Sequence, residues 1–297
     1  MKQYYKYILI FLEITLLFSL VASFNRLNNS VEDDIEGNST VIVPPNDSSS
    51  DNKQEDSENN STEGNFPSVD DNSNEDNSSE VVDFTTLSYV AFGDSITYGA
   101  DYSLSYSQMG EPYPELVSNA LGLASFTNKA VSGATFCTNT LDRVCMTDRV
   151  LSHTDKADII SVMLGVNDFA TSLPLGKFGD TTSATIYGSL YLIAEHLTTT
   201  QEDAFIFFMT PYKCKIGTKT YKDKNNAGYV LADVVTAIKV VASEYNIPVL
   251  DMFNEGQYEL EMYNHGSDGI HPSQEFIREY TAPQIEEFIR QNYSNKR

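Results

Sequence analysis

From Phe84 onward, short apolar runs alternate with longer amphipathic ones, and no other feature of the chain restricts its fold as tightly. Candidate strands are Ser88–Phe92, Ser125–Ala130, Ile159–Leu164, Ala204–Met209 and Ile247–Met252. Each is short, mostly β-branched or aromatic, and bounded by polar residues, Gly or Pro. Candidate helices lie between and after them: Pro114–Leu121, Leu141–Ser152, Ala184–Leu197, Ala227–Tyr245 and Gln274–Tyr293. In the fourth helix Val230, Val234, Ile238, Val241 and Tyr245 recur in steps of three and four, an apolar stripe suited to face a sheet. Pro283 is expected to break or kink the last helix. Strand–helix alternation requires a parallel sheet covered by helices on both faces. Residues 84–297 suffice for one such domain and contain no visible internal repeat.

The segments before it are of another kind. Residues 1–24 start with Lys2 and Lys6 and run apolar from Ile8 to Ala22, the pattern of an export signal or, uncleaved, of a membrane anchor. Glu13 inside the run disfavours both. Residues 25–83 hold 16 acids against Arg26 and Lys53, with 12 Asn and 11 Ser. Such a tract cannot bury enough apolar area to offset its ordering entropy, so a disordered acidic linker is expected. Asn38, Asn46, Asn60 and Asn77 each begin an N-glycosylation acceptor triplet, which an Asn/Ser-rich tract also produces by composition. The expected address is extracellular or at the cell surface, with membrane contact only through an uncleaved first segment. The formal charge of −23 argues against nucleic acid as a partner.

In a parallel sheet, functional groups gather beyond the carboxyl ends of the strands. After the first strand comes Gly93-Asp94-Ser95-Ile96-Thr97. A serine at such a turn can expose its hydroxyl, or merely cap a helix. After the second comes Ser132-Gly133-Ala134, where no Cβ keeps a ligand from the Gly133 amide, though a turn glycine would look the same. After the third comes Gly165-Val166-Asn167-Asp168, where the Asn167 amide could donate to a developing oxyanion or simply bond its own loop. Near the C-terminus, Asp268-Gly269-Ile270-His271-Pro272 offers an imidazole with a carboxylate three residues away, able to fix its tautomer. A metal site of His265, Asp268 and His271 is the alternative use of that segment.

Together, from about Tyr89 to Pro272, these blocks resemble the SGNH hydrolases, also called GDSL-type esterases and lipases. The resemblance implies a flavodoxin-like three-layer α/β/α sandwich with a five-stranded parallel sheet. It implies Ser95 as nucleophile, His271 as base and Asp268 as its orienting acid. The oxyanion would be held by the Ser95 and Gly133 amides and the Asn167 side chain. Ile96 stands where many members have Leu, and Asp94 is expected to brace the turn. The resemblance implies no cofactor and no metal, and we expect a monomer.

An export address, a polar tether and the Tyr98, Tyr102, Tyr106 and Tyr113 series favour O-acyl, notably acetyl, groups on carbohydrate as substrate. The Ser172–Thr185 loop, with Lys177 and Phe178, is a candidate cleft wall. A lysophospholipase or a broad short-chain esterase competes with that reading, as does a catalytically silent surface binding module. Of three cysteines, Cys137 and Cys145 are the pair most able to bridge outside the cell, leaving Cys214 over.

Overall fold

The structure, a computed structural model, describes residues 82–100, 110–138, 141–254 and 268–293. These all belong to one compact unit, Glu75–Arg297. The export segment 1–24, nearly all of the acidic tract 25–83, Tyr102, Tyr106 and His265 lie outside the described residues.

Five strands form the main sheet: β1 (Ser88–Gly93), β2 (Ser125–Asn128), β3 (Ile159–Met163), β4 (Phe205–Met209) and, after a small hairpin, β7 (Val249–Leu250). Their order is β2-β1-β3-β4-β7, and every pair is parallel. The hairpin joins β5 (Lys215–Ile216) to β6 (Lys219–Thr220). Every residue of β3 and of β4 is buried, as central parallel strands require. Phe207 is fully buried and stacks on Phe205 at 5.5 Å, so truncating it to Ala should cost about 3–5 kcal/mol.

Helices form two packed groups. Met146–Leu151, Ile186–Thr200 and Leu231–Glu244 pack in series, and Tyr113–Leu121 packs on Ala282–Tyr293. They make the outer layers of the expected three-layer sandwich. The strand order reverses between β1 and β3, and at such a switch point the loops leaving two strands open a crevice between them. Ser95 follows β1 and Asn167 follows β3.

Several elements differ from expectation for local reasons. Pairing of β2 stops at Asn128, whose side chain turns to the Thr97 carbonyl and to the Ala130 amide and competes with the ladder. The helix expected from Leu141 begins at Met146, because Asp142 bends the chain at φ +55° and Cys145, bridged to Thr135, is held extended. The helix expected from Ala227 begins at Leu231, because the Asn225 carboxamide oxygen accepts from the Ala227 and Tyr229 amides and keeps them in a turn. The last helix does not break at Pro283. It runs Gln274–Phe276, widens into a π-turn over Ile277–Thr281, and continues as Ala282–Tyr293. The Ala282 amide reaches back five residues to Ile277, and the widened turn relieves the position that Pro283, lacking an N–H, cannot bond. The short helices Ser95–Tyr98 and Val166–Ala170 and the β5–β6 hairpin were too brief to carry a periodic signal.

The Cys137–Cys145 bridge does not form, and none of the three cysteines is in a disulfide. Cys145 Sγ instead donates to the Phe136 carbonyl at 3.3 Å, while Cys137 is buried. Burial pushes the Cys214 thiol up to about 12, and that of Cys137 higher still.

Candidate active site

The site starts from the end of β1. A Cβ on Gly93 would overlap the Thr97 side chain, so only glycine lets the chain fold back this tightly. The Asp94 carboxylate then caps the turn by accepting from the Ile96 amide at 3.0 Å, the bracing role expected of it. Ser95 is left at the head of the turn, with its hydroxyl 2.6 Å from His271 Nε2.

On the other side of the imidazole, Nδ1 lies 2.7 Å from Asp268 Oδ2. The second oxygen of Asp268 accepts from the Ile270 amide at 3.0 Å and the His271 amide at 2.9 Å. Partial burial of Asp268 works against its charge. The His271 side chain and the two amides outweigh that, and its carboxyl stays below the usual carboxylate range. Both nitrogens of His271 are thereby engaged, which leaves neither facing an open metal position. Among the described residues no His, Cys, Asp and Glu cluster of metal-site size occurs.

Asn167 donates through Nδ2 to the Ala134 carbonyl at 3.0 Å, and the same nitrogen lies 3.4 Å from Asp94 Oδ2. These contacts join the β3 loop to the residue beside Gly133 and to the residue beside Ser95. Gly133 itself has φ +77°, a conformation that L side chains rarely adopt. Among the described residues neither the Ser95 nor the Gly133 amide donates to another group. The structure therefore gathers Ser95, His271, Asp268, Asn167 and the Gly133 segment at one edge of the sheet.

Two residues outside the sequence-derived set contribute. Asp168 is fully buried, and its carboxylate accepts from the Phe136 amide at 2.9 Å and the Cys137 amide at 3.1 Å. It fastens the loop that carries Gly133 to the turn that carries Asn167. Burial pushes its carboxyl up to about 6, and burial does the same to Asp94. Arg143 donates from Nη1 to the Gly133 carbonyl at 3.0 Å and reaches Asn167 Oδ1 at 3.4 Å. Asp168 stood in the quoted Asn167 block, but an acid after an Asn looks like any loop acid. Arg143 carried no signal.

Of the tyrosines expected at the rim, Tyr98 is exposed, whereas Tyr113 is completely buried with its hydroxyl 3.0 Å from Thr97 Oγ1. Tyr113 is a core residue, because its position at the start of a helix turns it under the nucleophile loop. Phe178 on the Ser172–Thr185 loop is 61% exposed and meets the Tyr191 ring edge-on at 6.1 Å.

The sequence profile of the GDSL-like lipase/acylhydrolase family matches residues 91–276, a span running from before Ser95 to past His271. No curated protein matches the chain significantly. Among solved structures, a protein from Lactobacillus plantarum is 24% identical over 69% of this chain and 98% of its own, with a TM-score of 0.59. A possible lipase from Chitinophaga pinensis is 21% identical over the same shares, with a TM-score of 0.58. At these identities the likeness speaks for the fold, and the profile match over well over half the sequence speaks for the family. The chain belongs to the GDSL-like lipase/acylhydrolase family and is an ester hydrolase built on a flavodoxin-like α/β/α sandwich.

Proposed function

We propose that this ester hydrolase works outside the cytoplasm through a Ser95–His271–Asp268 triad and removes O-acyl groups, acetyl above all, from carbohydrate. The observation that carries the catalytic part is the unbroken relay of 2.6 Å from Ser95 Oγ to His271 Nε2 and 2.7 Å from Nδ1 to Asp268. Serine is a weak nucleophile until a base takes its proton. As Oγ bonds to the ester carbonyl carbon, its proton passes to Nε2 and the carbonyl oxygen gains a negative charge. The Ser95 and Gly133 amides and the Asn167 amide are the donors for that oxygen. Collapse breaks the bond to the alcohol, which takes the proton from Nε2. Water then repeats both steps and releases the acid, restoring Ser95. Asp268, held ionised, keeps Nδ1 protonated and stabilises the imidazolium.

The carbohydrate and location parts rest on sequence features: a basic-then-apolar first segment, an acidic polar tether and the exposed Tyr98. The test is hydrolysis of an aryl acetate by the full chain and by Ser95→Ala, followed by a panel of acetylated xylan, long-chain aryl esters and lysophospholipid. We expect Ser95→Ala to lose at least about 10³-fold in rate. Acetylated xylan should turn over while long-chain esters do not. Equal rates for the wild type and Ser95→Ala would overturn the triad. Preference for lysophospholipid would overturn the substrate class. Retention of a reporter in the cytoplasm when fused behind residues 1–83 would overturn the location.

A further inference from the structure

Arg143 lies on the segment that leaves Gly133 and returns to it. The Thr135 amide donates to the Val144 carbonyl at 3.0 Å, and the Met146 amide donates to the Thr135 carbonyl at 2.8 Å. This bridge turns the chain so that Arg143, two residues before Cys145, stands against Gly133. A Cβ on Gly133 would come within 3.1 Å of Arg143 Nη1, so the glycine also makes room for the guanidinium. One nitrogen of Arg143 thus holds the Gly133 carbonyl at 3.0 Å and reaches the Asn167 side-chain oxygen at 3.4 Å.

Building on the proposed roles of Gly133 and Asn167, we propose that Arg143 is a positioning residue for the oxyanion hole, acting through both of them. A carboxamide can turn over and exchange its oxygen for its nitrogen. With Ala134 O at one end and Arg143 Nη1 at the other, the turned amide would set acceptor against acceptor and donor against donor. The guanidinium therefore reinforces the one orientation that keeps Nδ2 beside Ala134 O and Asp94 Oδ2, from which the N–H on the longer contact, 3.4 Å to Asp94, turns to the reacting oxygen. Its charge on Oδ1 also polarises the amide and strengthens the N–H at the far end. The contact on Gly133 O restrains a glycine that could otherwise rotate freely. Arg143 is exposed, so solvent limits the electrostatic part, and the effect should fall well short of losing a hole donor outright.

The test uses the full chain and an aryl acetate, with Arg143→Ala, Arg143→Lys, Asn167→Ala and the Arg143→Ala/Asn167→Ala double variant. Arg143→Ala should lower kcat roughly 5- to 50-fold with KM within about twofold, the split expected when an interaction acts only in the transition state. Arg143→Lys should recover part of that loss, because an ammonium can still bond one of the two acceptors. The double variant should lose less than the product of the two single losses, since the part of Arg143 that acts through Asn167 is already gone there while its hold on Gly133 remains. Thermal melting checks each fold, and Arg143→Gln carries the same comparison if Arg143→Ala melts early. A kcat within about twofold of wild type, a loss confined to KM, or multiplicative losses in the double variant would each overturn the proposal. Ser95→Ala separates the layers: if it is inactive while Arg143→Ala behaves as wild type, the serine mechanism stands and only the role of Arg143 falls.

Discussion

Asp268 meets His271 across three residues of one loop, whereas Asn167 meets Ala134 across 33 residues and Asp94 across 73. The acid–base half of the site is thus built by local chain, and its aspartate is partly open to solvent. The oxyanion half is assembled from three separate strand ends and is tied by Asp168, which is wholly buried. A local unit needs only the right loop. A non-local one needs the whole sheet in register, and any buried polar tie in it must be satisfied. Changes in the first half should therefore damage chemistry and spare the fold. Changes in the second half should damage both.

The largest expected effect is in the local half. Asp268→Asn removes the charge that pairs with Nδ1 and should lower kcat by about 10³–10⁴-fold while the melting temperature changes little. Steady-state kinetics with calorimetry checks this, and a large drop in melting temperature would blur the distinction between the halves.

Next comes Asn167→Ala, which deletes one hole donor and should lower kcat by about 10²–10³-fold. A loss seen in KM alone would show that Asn167 binds substrate and does not stabilise the transition state.

Asp168→Asn tests the tie itself. An amide can accept from only one of the two N–H groups that the carboxylate now satisfies and sets its own NH₂ against the other, so stability should fall by about 1–3 kcal/mol. Urea unfolding measures it. Wild-type stability in Asp168→Asn would mean that the non-local half holds without its buried acid.

The last test is a pH signature of the same variant. The Asp168 carboxyl is raised to about 6 in the folded state from 3.8, so the folded chain holds that proton more tightly than the unfolded one. The corresponding stabilisation is complete below the unfolded value and is lost as pH rises through about 6. Asp94 shares this direction, and Asp268, lowered in the fold, has the opposite one. The stability deficit of Asp168→Asn against wild type should accordingly be larger at pH 4 than at pH 7. A deficit that grows towards pH 7 would show that the ionised carboxylate is the stabilising form, against the burial that raises it.

What could be seen in advance follows the same division. Ser95, Asp268 and His271 sit in short segments whose meaning is carried by neighbours along the chain. Asp168 and Arg143 act on groups 10 to 32 residues away, and nothing in their own surroundings marks them. Tyr113 looked like its companions in a Tyr-rich stretch until the fold turned it inward. The disulfide expectation failed for a related reason: an eight-residue spacing says nothing of where the two thiols point, and the Thr135–Cys145 bridge aims Cys145 at a carbonyl.

From the sequence alone came the parallel sheet, the helices on both of its faces and the identity of the loops that carry chemistry. Periodicity and strand–helix alternation are local properties, and the hydrophobic effect reads them directly. Only the tertiary structure decided which buried acid clamps the Gly133 loop, which arginine backs Asn167 and which tyrosine joins the core. Those outcomes depend on hydrogen-bond geometry between segments far apart in the chain, and that geometry exists only once the sheet has closed the distance between them.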